Sequence, residues 1–126
     1  MTVVFDSSAL LAITFGEEGA PVALGAAGDA IMSAVNVTEV ITRLIERGAS
    51  REQARERLEG YGLAIRPFDE SLAVEAGFLR TATRQYGLSL GDRACLALAM
   101  RERVPVVTAD RTWAQLDLGV EVHVIR

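Results

Sequence analysis

Residues 2–10 read Thr-Val-Val-Phe-Asp-Ser-Ser-Ala-Leu. The first four residues are β-branched or apolar and predict a short strand, and Asp6 follows that strand directly. Similar short apolar runs recur along the chain, and longer helical patterns separate nearly all of them. We therefore predict five strands, at residues 2–5, 30–33, 63–66, 105–108 and 120–125.

The order of these elements predicts an α/β domain with right-handed crossovers and helices on both faces of a mostly parallel five-stranded sheet. The first and fourth strands are almost continuously apolar, which is typical of central strands covered on both faces. The last strand alternates polar and apolar residues, which favours an edge position. Because the 126 residues contain no repeat, low-complexity tract or linker, we expect one domain over residues 1–126.

Capping signals mark the ends of two of the predicted helices. Ser50 and Gln53 form a capping-box pattern, with glycines just beyond the helix that it opens. Asp69 predicts the start of another helix, which Gly87 ends. The residues of this second helix expected to be buried are Leu72, Val74, Ala76, Leu79 and Ala82.

The composition narrows the chemistry available to the protein. All 13 basic residues are arginine, which excludes Schiff-base, phosphate-loop and general-base lysines. The only histidine, His123, lies close to the last residue and argues against a histidine triad or a two-histidine metal site. The only cysteine, Cys95, cannot form an internal disulfide. The formal net charge of −4 argues against a uniformly basic nucleic-acid binder but leaves room for a local arginine stripe.

Targeting and membrane signals are missing from the sequence. No apolar stretch approaches the ~20 residues of a membrane span. Residues 1–6 carry no basic segment ahead of an apolar one. We therefore expect a cytoplasmic protein that has no membrane partner.

Four acidic residues stand where the chain leaves the sheet or begins a helix. Asp6 and Asp110 directly follow the first and fourth predicted strands. Asp92 lies in the first turn of the helix leading to the fourth strand, and Glu39 lies early in the helix after the second strand. Ligands of open parallel sheets bind beyond the carboxyl ends of the strands, so we expect any site at this edge.

Each acid also has a purely structural interpretation. Asp6 and Asp110 could cap the helices that follow them, which is worth about 1 kcal/mol each. Asp92 could be the back-reaching acid of a capping box that begins at Ser89. Glu39 falls opposite the apolar stripe of its helix, so periodicity alone predicts a solvated residue.

Capping does not require these acids to share a pocket, and sharing one would be costly. Two unpaired carboxylates about 4 Å apart repel by roughly 4 kcal/mol at an effective dielectric constant of 20. The charge could be neutralised by Arg93 and Arg111, each adjacent to an acid, or by a divalent metal ion. Oxygen ligands select hard ions such as Mg²⁺ or Mn²⁺, so the residues best support metal-assisted phosphodiester hydrolysis.

Four segments of the chain match a known pattern when taken together. They are residues 4–10, 33–39, 88–97 and 107–113, which contain the four acids in order. On these segments the chain resembles the PIN-domain ribonucleases, and within them the VapC toxins of bacterial toxin–antitoxin pairs. The resemblance implies a three-layer α/β/α domain whose first and fourth strands are neighbours.

The resemblance also implies roles for the acids around Mg²⁺ or Mn²⁺. Asp6 and Asp92 would be the metal ligands, and Glu39 would bind metal or position its water. Asp110 would support these ligands or belong to a second metal site. The implied activity is endoribonuclease cleavage of RNA by metal-activated water.

The side chains next to the acids keep two interpretations each. Ser7 and Thr108 are hydroxyls aimed at the same pocket, or residues that make ordinary hydrogen bonds at strand ends. Arg93 and Arg111 meet RNA phosphates or neutralise the acids. Trp113 is expected to pack against the sheet rather than stack on a base.

The resemblance implies two protein partners, an antitoxin and a second copy of the chain. We expect the antitoxin in a groove between a helix within residues 18–27 and the helix of Val37, Ile41 and Leu44; alternatively, both helices simply pack on the sheet. Two other functions stay open: a catalytically inactive PIN-type binding module and a housekeeping RNA-processing nuclease. A phospho-receiver domain is disfavoured because its active-site lysine has no counterpart here.

Overall fold

The computed structural model describes residues 1–126 and contains one five-stranded sheet. All neighbouring strands are parallel, and the predicted fold class is confirmed. The strands are β1 (Val3–Phe5), β2 (Ala30–Ser33), β3 (Ala64–Arg66), β4 (Val106–Thr108) and β5 (Val122–Val124), in the sheet order β3-β2-β1-β4-β5.

Helices connect the strands, and every predicted strand overlaps one in the structure. Three short 3₁₀ segments, at Ala27–Asp29, Arg84–Tyr86 and Arg111–Gln115, complete the connections. The α-helices are α1 (Ser7–Phe15), α2 (Ala20–Ala26), α3 (Ala34–Glu46), α4 (Arg51–Gly60), α5 (Glu70–Thr83) and α6 (Leu90–Glu102).

The first strand lies at the centre of the sheet, as its apolar character predicts. It is fully paired on both sides, with Val4 opposite Ile31 of β2 and Val106 of β4. The alternating strand β5 lies at one edge, also as predicted. The adjacency of β1 and β4 that the resemblance implies is therefore present.

The sheet divides the hydrophobic core into two parts because successive strand residues point to opposite faces. Val3 and Phe5 pack with α1 to α4 on one face. Val4 packs with α5, α6 and the fully buried Trp113 on the other face. The three layers are thus helices, sheet and helices, and Trp113 packs as expected.

The capping signals at the helix starts act as the sequence predicts, but Gly60, predicted to lie just beyond the helix that Ser50 begins, is the last residue of α4. The Ser50 hydroxyl accepts from the Gln53 amide at 3.1 Å, and the Gln53 side chain accepts from the Ser50 amide at 2.8 Å. Asp69 Oδ1 accepts from the Leu72 amide at 2.9 Å and begins α5. Gly87, with φ of 63°, takes the left-handed conformation that ends the 3₁₀ turn after α5.

The predicted burial in α5 is correct for three residues and wrong for two. Val74 is 47% exposed and Ala82 is also exposed, and Thr83 is buried instead. The helix has more apolar residues than one face can hold, and α6 packs on only one of the possible stripes. The buried stripe of α5 consists of Leu72, Ala76, Leu79 and Thr83.

None of the six α-helices is both long and apolar enough to cross a bilayer.

Candidate active site

The carboxyl ends of β1, β2 and β4 meet at one edge of the sheet because the strands are parallel and adjacent. Asp6 directly follows β1, and Asp110 follows β4 one residue further on. Helix α3 begins at the end of β2 and carries Glu39. In the order of strands, β2 and β3 follow on one side of β1, whereas β4 and β5 lie on the other side of β1. The strand order therefore reverses next to β1, and ligands of such sheets bind at this switch point.

Asp6 is almost completely buried and does not cap the helix that it precedes. It is 4% exposed, and although it occupies the N-cap position of α1 it makes no capping hydrogen bond. Instead its Oδ2 accepts from the Ser8 hydroxyl at 2.6 Å and from the Thr108 hydroxyl at 3.0 Å. The capping interpretation of Asp6 is therefore wrong, and its carboxylate is held by two hydroxyl groups.

The surroundings of Asp6 favour its protonated form. Burial raises the pKa of Asp6 to about 6, and the negative charges of Asp92 and Glu39 act in the same direction. The hydrogen bonds from Ser8 and Thr108 act against this increase. At neutral pH the protein thus holds a carboxylate in a place that disfavours its charge.

Asp92 both caps α6 and belongs to the acidic site. Its Oδ2 accepts from the Ser89 amide at 2.9 Å, and the Ser89 hydroxyl accepts from the Asp92 amide at 3.2 Å, so the predicted capping box is confirmed. Burial raises the pKa of Asp92, and the charges of Glu39 and Asp110 raise it further. The two interpretations of Asp92 are not exclusive.

Cys95 lies on the buried side of α6, one turn beyond Asp92. It is fully buried, and burial raises the pKa of its thiol well above the usual value. The negative charges of Asp6, Asp92 and Glu39 add to this increase. Cys95 therefore lies in the core beneath the acids.

Glu39 is half-buried, which differs from the solvated position that periodicity predicts. Its Oε1 accepts from Asn36 Nδ2 at 2.7 Å, and its carboxyl group lies against Gly91 at the start of α6. The periodicity of α3 identifies the face that packs on the sheet, whereas Glu39 is covered from the side by α6. This contact places Glu39 next to Asp92.

Asp110 is the exposed member of the four acids, and its capping interpretation is confirmed. Its Oδ1 accepts from the Thr112 amide at 2.9 Å and from the Thr112 hydroxyl at 2.7 Å. These bonds begin the 3₁₀ segment Arg111–Gln115. Asp110 remains near enough to Asp92 for its charge to act on that residue.

None of these four acids forms a salt bridge. Arg93 instead donates to the carbonyl of Ala76 at 3.0 Å. Arg111 donates from Nε to the carbonyl of Arg126 at 2.8 Å. The two arginines proposed as neutralising partners therefore bond to backbone carbonyls in place of the acids.

Two polar residues at the site were not predicted from the sequence. The hydroxyl that contacts Asp6 belongs to Ser8, whereas Ser7 lines a cleft of about 590 Å³ beside Glu39. Asn36 is fully buried and contacts Glu39. Its spacing of three residues before Glu39 was a usable signal, since such pairs are neighbours on a helix.

The donor set fits a hydrated divalent ion better than a closed metal cage. No group of three His, Cys, Asp or Glu side chains is arranged to hold a metal ion. Mg²⁺, however, usually takes only one or two carboxylates and keeps several waters. Asp6 and Asp92 repel each other and have no cationic partner, so their carboxylates are of the kind that such an ion takes.

Comparison with known proteins identifies the family. The family model of the PIN domain matches residues 3–118. The match covers four of the five strands and every acid described above. The chain therefore belongs to the PIN domain family.

Solved structures of similar fold come from toxin–antitoxin complexes. The chain is similar to one in a toxin–antitoxin complex from Klebsiella pneumoniae (22% identity, TM-score 0.76, 98% of each chain covered). It is also similar to a chain of VapBC2 from Rickettsia felis bound to a promoter DNA fragment (18% identity, TM-score 0.74, 98% of each chain). A third is VapBC-5 from Mycobacterium tuberculosis (20% identity, TM-score 0.59, 99% of this chain and 98% of that chain). No curated protein gives a significant match.

Proposed function

We propose that this PIN domain is a Mg²⁺- or Mn²⁺-dependent endoribonuclease and the toxin of a toxin–antitoxin pair. The observation that carries the proposal is the buried, unpaired carboxylate of Asp6 among three further acids. A fold that only needed these positions for stability would gain by neutralising them. The similarity to chains from toxin–antitoxin complexes supports the toxin assignment.

In this proposal the acidic residues of the chain would hold a divalent ion next to an RNA phosphodiester. A bound Mg²⁺ or Mn²⁺ would supply positive charge for the phosphate and activate water for attack on phosphorus. Asp6 and Asp92 would hold the ion, with Ser8 and Thr108 fixing the Asp6 carboxylate. Glu39 would bind the ion or orient the attacking water.

The direct test is cleavage of total RNA by purified protein, mapped at nucleotide resolution with and without Mn²⁺. We expect cleavage that excess chelator abolishes and that Asp92→Asn reduces by orders of magnitude. Circular dichroism controls for the fold of the variant. Cleavage at the wild-type rate in excess chelator would contradict the proposal.

Two alternatives remain as outcomes of this test. The first is a PIN-type binding module without catalysis, which the set of four acids argues against. A stably folded protein that neither binds Mn²⁺ nor cleaves RNA would support the binding module. Cleavage of one defined precursor, with no growth arrest on expression, would support a housekeeping RNA-processing nuclease.

We propose an antitoxin site in a groove beside α3, with a different neighbouring helix from the one predicted. Helix α2 packs mainly against α1, so it does not form the wall expected from residues 18–27. Helix α4 forms that wall instead, in a groove of about 510 Å³. The groove is lined by Ile41, Ile45, Ala54 and Leu58 and by the charged residues Arg51, Arg55 and Glu59.

We propose that an apolar segment of the antitoxin occupies the α3–α4 groove and that a basic residue of the antitoxin reaches the acids. An acidic site complements a basic side chain, which adds specificity to apolar anchoring. Ile45→Glu should weaken co-purification with the protein encoded by the adjacent gene. Leu24→Glu, at an exposed position on α2, is the matched control. Equal binding by both variants would exclude this groove.

A second copy of the chain is proposed to pack on α5. Val74 and Phe78 are exposed on the same face of this helix, and Phe78 is 70% exposed. Gly77 lies midway between Glu70 and Arg84, so two antiparallel α5 helices crossing at Gly77 would pair these opposite charges in both directions. Phe78→Glu should convert a dimer to a monomer in sedimentation, whereas a monomeric wild type would refute this contact.

A further inference from the structure

Asn36 is a fully buried amide next to the acidic site. It lies on the same buried stripe of α3 as Val40 and Leu44. Its Nδ2 donates to Glu39 Oε1 at 2.7 Å and to the carbonyl of Gly91 at 3.1 Å. Both amide protons are therefore used, one on an acid of the site and one on the first turn of α6.

The neighbours of Asn36 fix the orientation of its amide. A carboxylate and a carbonyl are both acceptors, so only the NH₂ end of the amide can face them. The Asn36 Oδ1 is buried without a hydrogen-bond partner. An apolar side chain of similar size would avoid that unsatisfied carbonyl, but it would lose the contact with Glu39.

Gly91 holds the Glu39 carboxyl group from the opposite side. A Cβ atom at this position would lie 2.6 Å from the Glu39 carboxyl carbon, so any side chain here would displace the Glu39 carboxyl group. Because Gly91 immediately precedes Asp92, the contact keeps Glu39 beside a second acid. Asn36 and Gly91 together therefore connect α3 to α6 at the site.

We propose that Asn36 is a positioning residue that holds Glu39 beside Asp92 for metal binding. The proposal rests on the proposed function, since it takes these acids as metal ligands. A neutral amide can orient a carboxylate without neutralising it, whereas an arginine would supply the charge that the metal ion must bring. Partners that orient metal ligands typically change metal affinity or activity by about 10–100-fold when they are lost.

The first test is Asn36→Leu, which keeps a side chain of the same branched shape and removes both donors. We expect a folded protein whose Mn²⁺ dissociation constant, measured by electron paramagnetic resonance of free Mn²⁺, rises about 10–100-fold. Thr83→Val is the matched control, because Thr83 is also fully buried and donates to a backbone carbonyl on α5, outside the acidic site. The control should bind Mn²⁺ as the wild type does.

The second test is Gly91→Ala, which separates positioning from stability. Alanine favours the helix more than glycine does, and the atoms it displaces are the flexible end of Glu39. We expect a melting temperature equal to or above that of the wild type, together with weaker Mn²⁺ binding. A residue with a merely structural role would lose affinity only together with stability.

The third test combines Asn36→Leu with Glu39→Ala. If Asn36 acts through Glu39, its substitution should have no further effect on Mn²⁺ affinity when Glu39 is absent. Undiminished affinity in Asn36→Leu, or an equal loss in the Glu39→Ala protein, would overturn the positioning role. Failure of the wild type to bind millimolar Mn²⁺ would instead overturn the proposed metal-dependent function and the positioning role with it.

Discussion

Asp6 and Asp69 both occupy the N-cap position of a helix, but their environments are opposite. Asp69 is exposed, accepts from the Leu72 amide, and forms a salt bridge with Arg101 at 3.1 Å. The hydrogen bond from Leu72 and the contact with Arg101 lower the pKa of Asp69. Asp6 is buried, makes no capping bond and has no cationic partner, and its pKa is raised.

The charge of Asp69 therefore stabilises the start of α5, whereas the charge of Asp6 destabilises the start of α1. The charge of Asp69 is matched by its surroundings, so ionisation favours the folded state. The charge of Asp6 is not matched, so ionisation works against folding. Such a conflict between stability and charge is typical of functional sites.

The largest expected difference between the two aspartates is in catalysis. Asp6→Asn should reduce RNA cleavage by orders of magnitude because it removes a proposed metal ligand while keeping the shape of the side chain. Asp69→Asn should leave cleavage within a few-fold of the wild type. Equal rates for the two variants would remove the functional distinction between these positions.

The next difference is in the response of stability to metal. Millimolar Mg²⁺ or Mn²⁺ should raise the melting temperature of the wild type, since a ligand of the folded state stabilises it. Without metal, Asp6→Asn should melt above the wild type, and its response to metal should be smaller. Calorimetric scans with chelator and with metal measure both effects. Coincident wild-type scans would indicate acids that do not share an ion.

The pH dependence of stability should have opposite signs at the two aspartates. The raised pKa of Asp6, about 6 against 3.8, means that the folded state holds its proton longer than the unfolded state. The contribution of Asp6 to the free energy of unfolding therefore falls by about 3 kcal/mol as pH rises from below the unfolded pKa of 3.8 to above the folded pKa of about 6. Denaturant titrations in chelator should show a larger decrease in the wild type than in Asp6→Asn, where Asp92 still has a raised pKa.

The smallest expected effect is that of replacing Asp69, the N-cap residue of α5. Because the pKa of Asp69 is lowered, its contribution is present above its unfolded pKa and is lost as pH falls through the lowered value. Asp69→Ala should lower the melting temperature by a few degrees at pH 7, and less at pH 3. A decrease of the same size at both pH values would show that charge is not the cause.

Most of the fold could be predicted from the sequence because its signals are local. The apolar runs mark the strands, and the caps at Ser50 and Asp69 mark helix starts. Predicted burial in α5 failed at Val74, since the choice between two apolar stripes depends on where α6 packs. Which stripe is covered is a property of the tertiary structure.

The site was predictable only in part, for the same reason. Asp6 and Asp92 carry signals of their own at a strand end and a helix start. Glu39 required the resemblance to a family, because the element that covers it lies far away in the sequence. Ser7 and Ser8 differ by one helical position, and the direction of α1 determines which of them contacts Asp6. The metal-binding and catalytic roles of the four acids remain predictions.

The buried thiol of Cys95 makes the acidic site observable without any substrate. As the only cysteine, fully covered by α6 and the sheet, it can react with a thiol reagent only when this part of the core opens transiently. The labelling rate under native conditions therefore reports the opening equilibrium beneath the acids. An ion that binds Asp6 and Asp92 in the folded state should slow that labelling. The labelling rate of Cys95 therefore measures how much of the site is occupied.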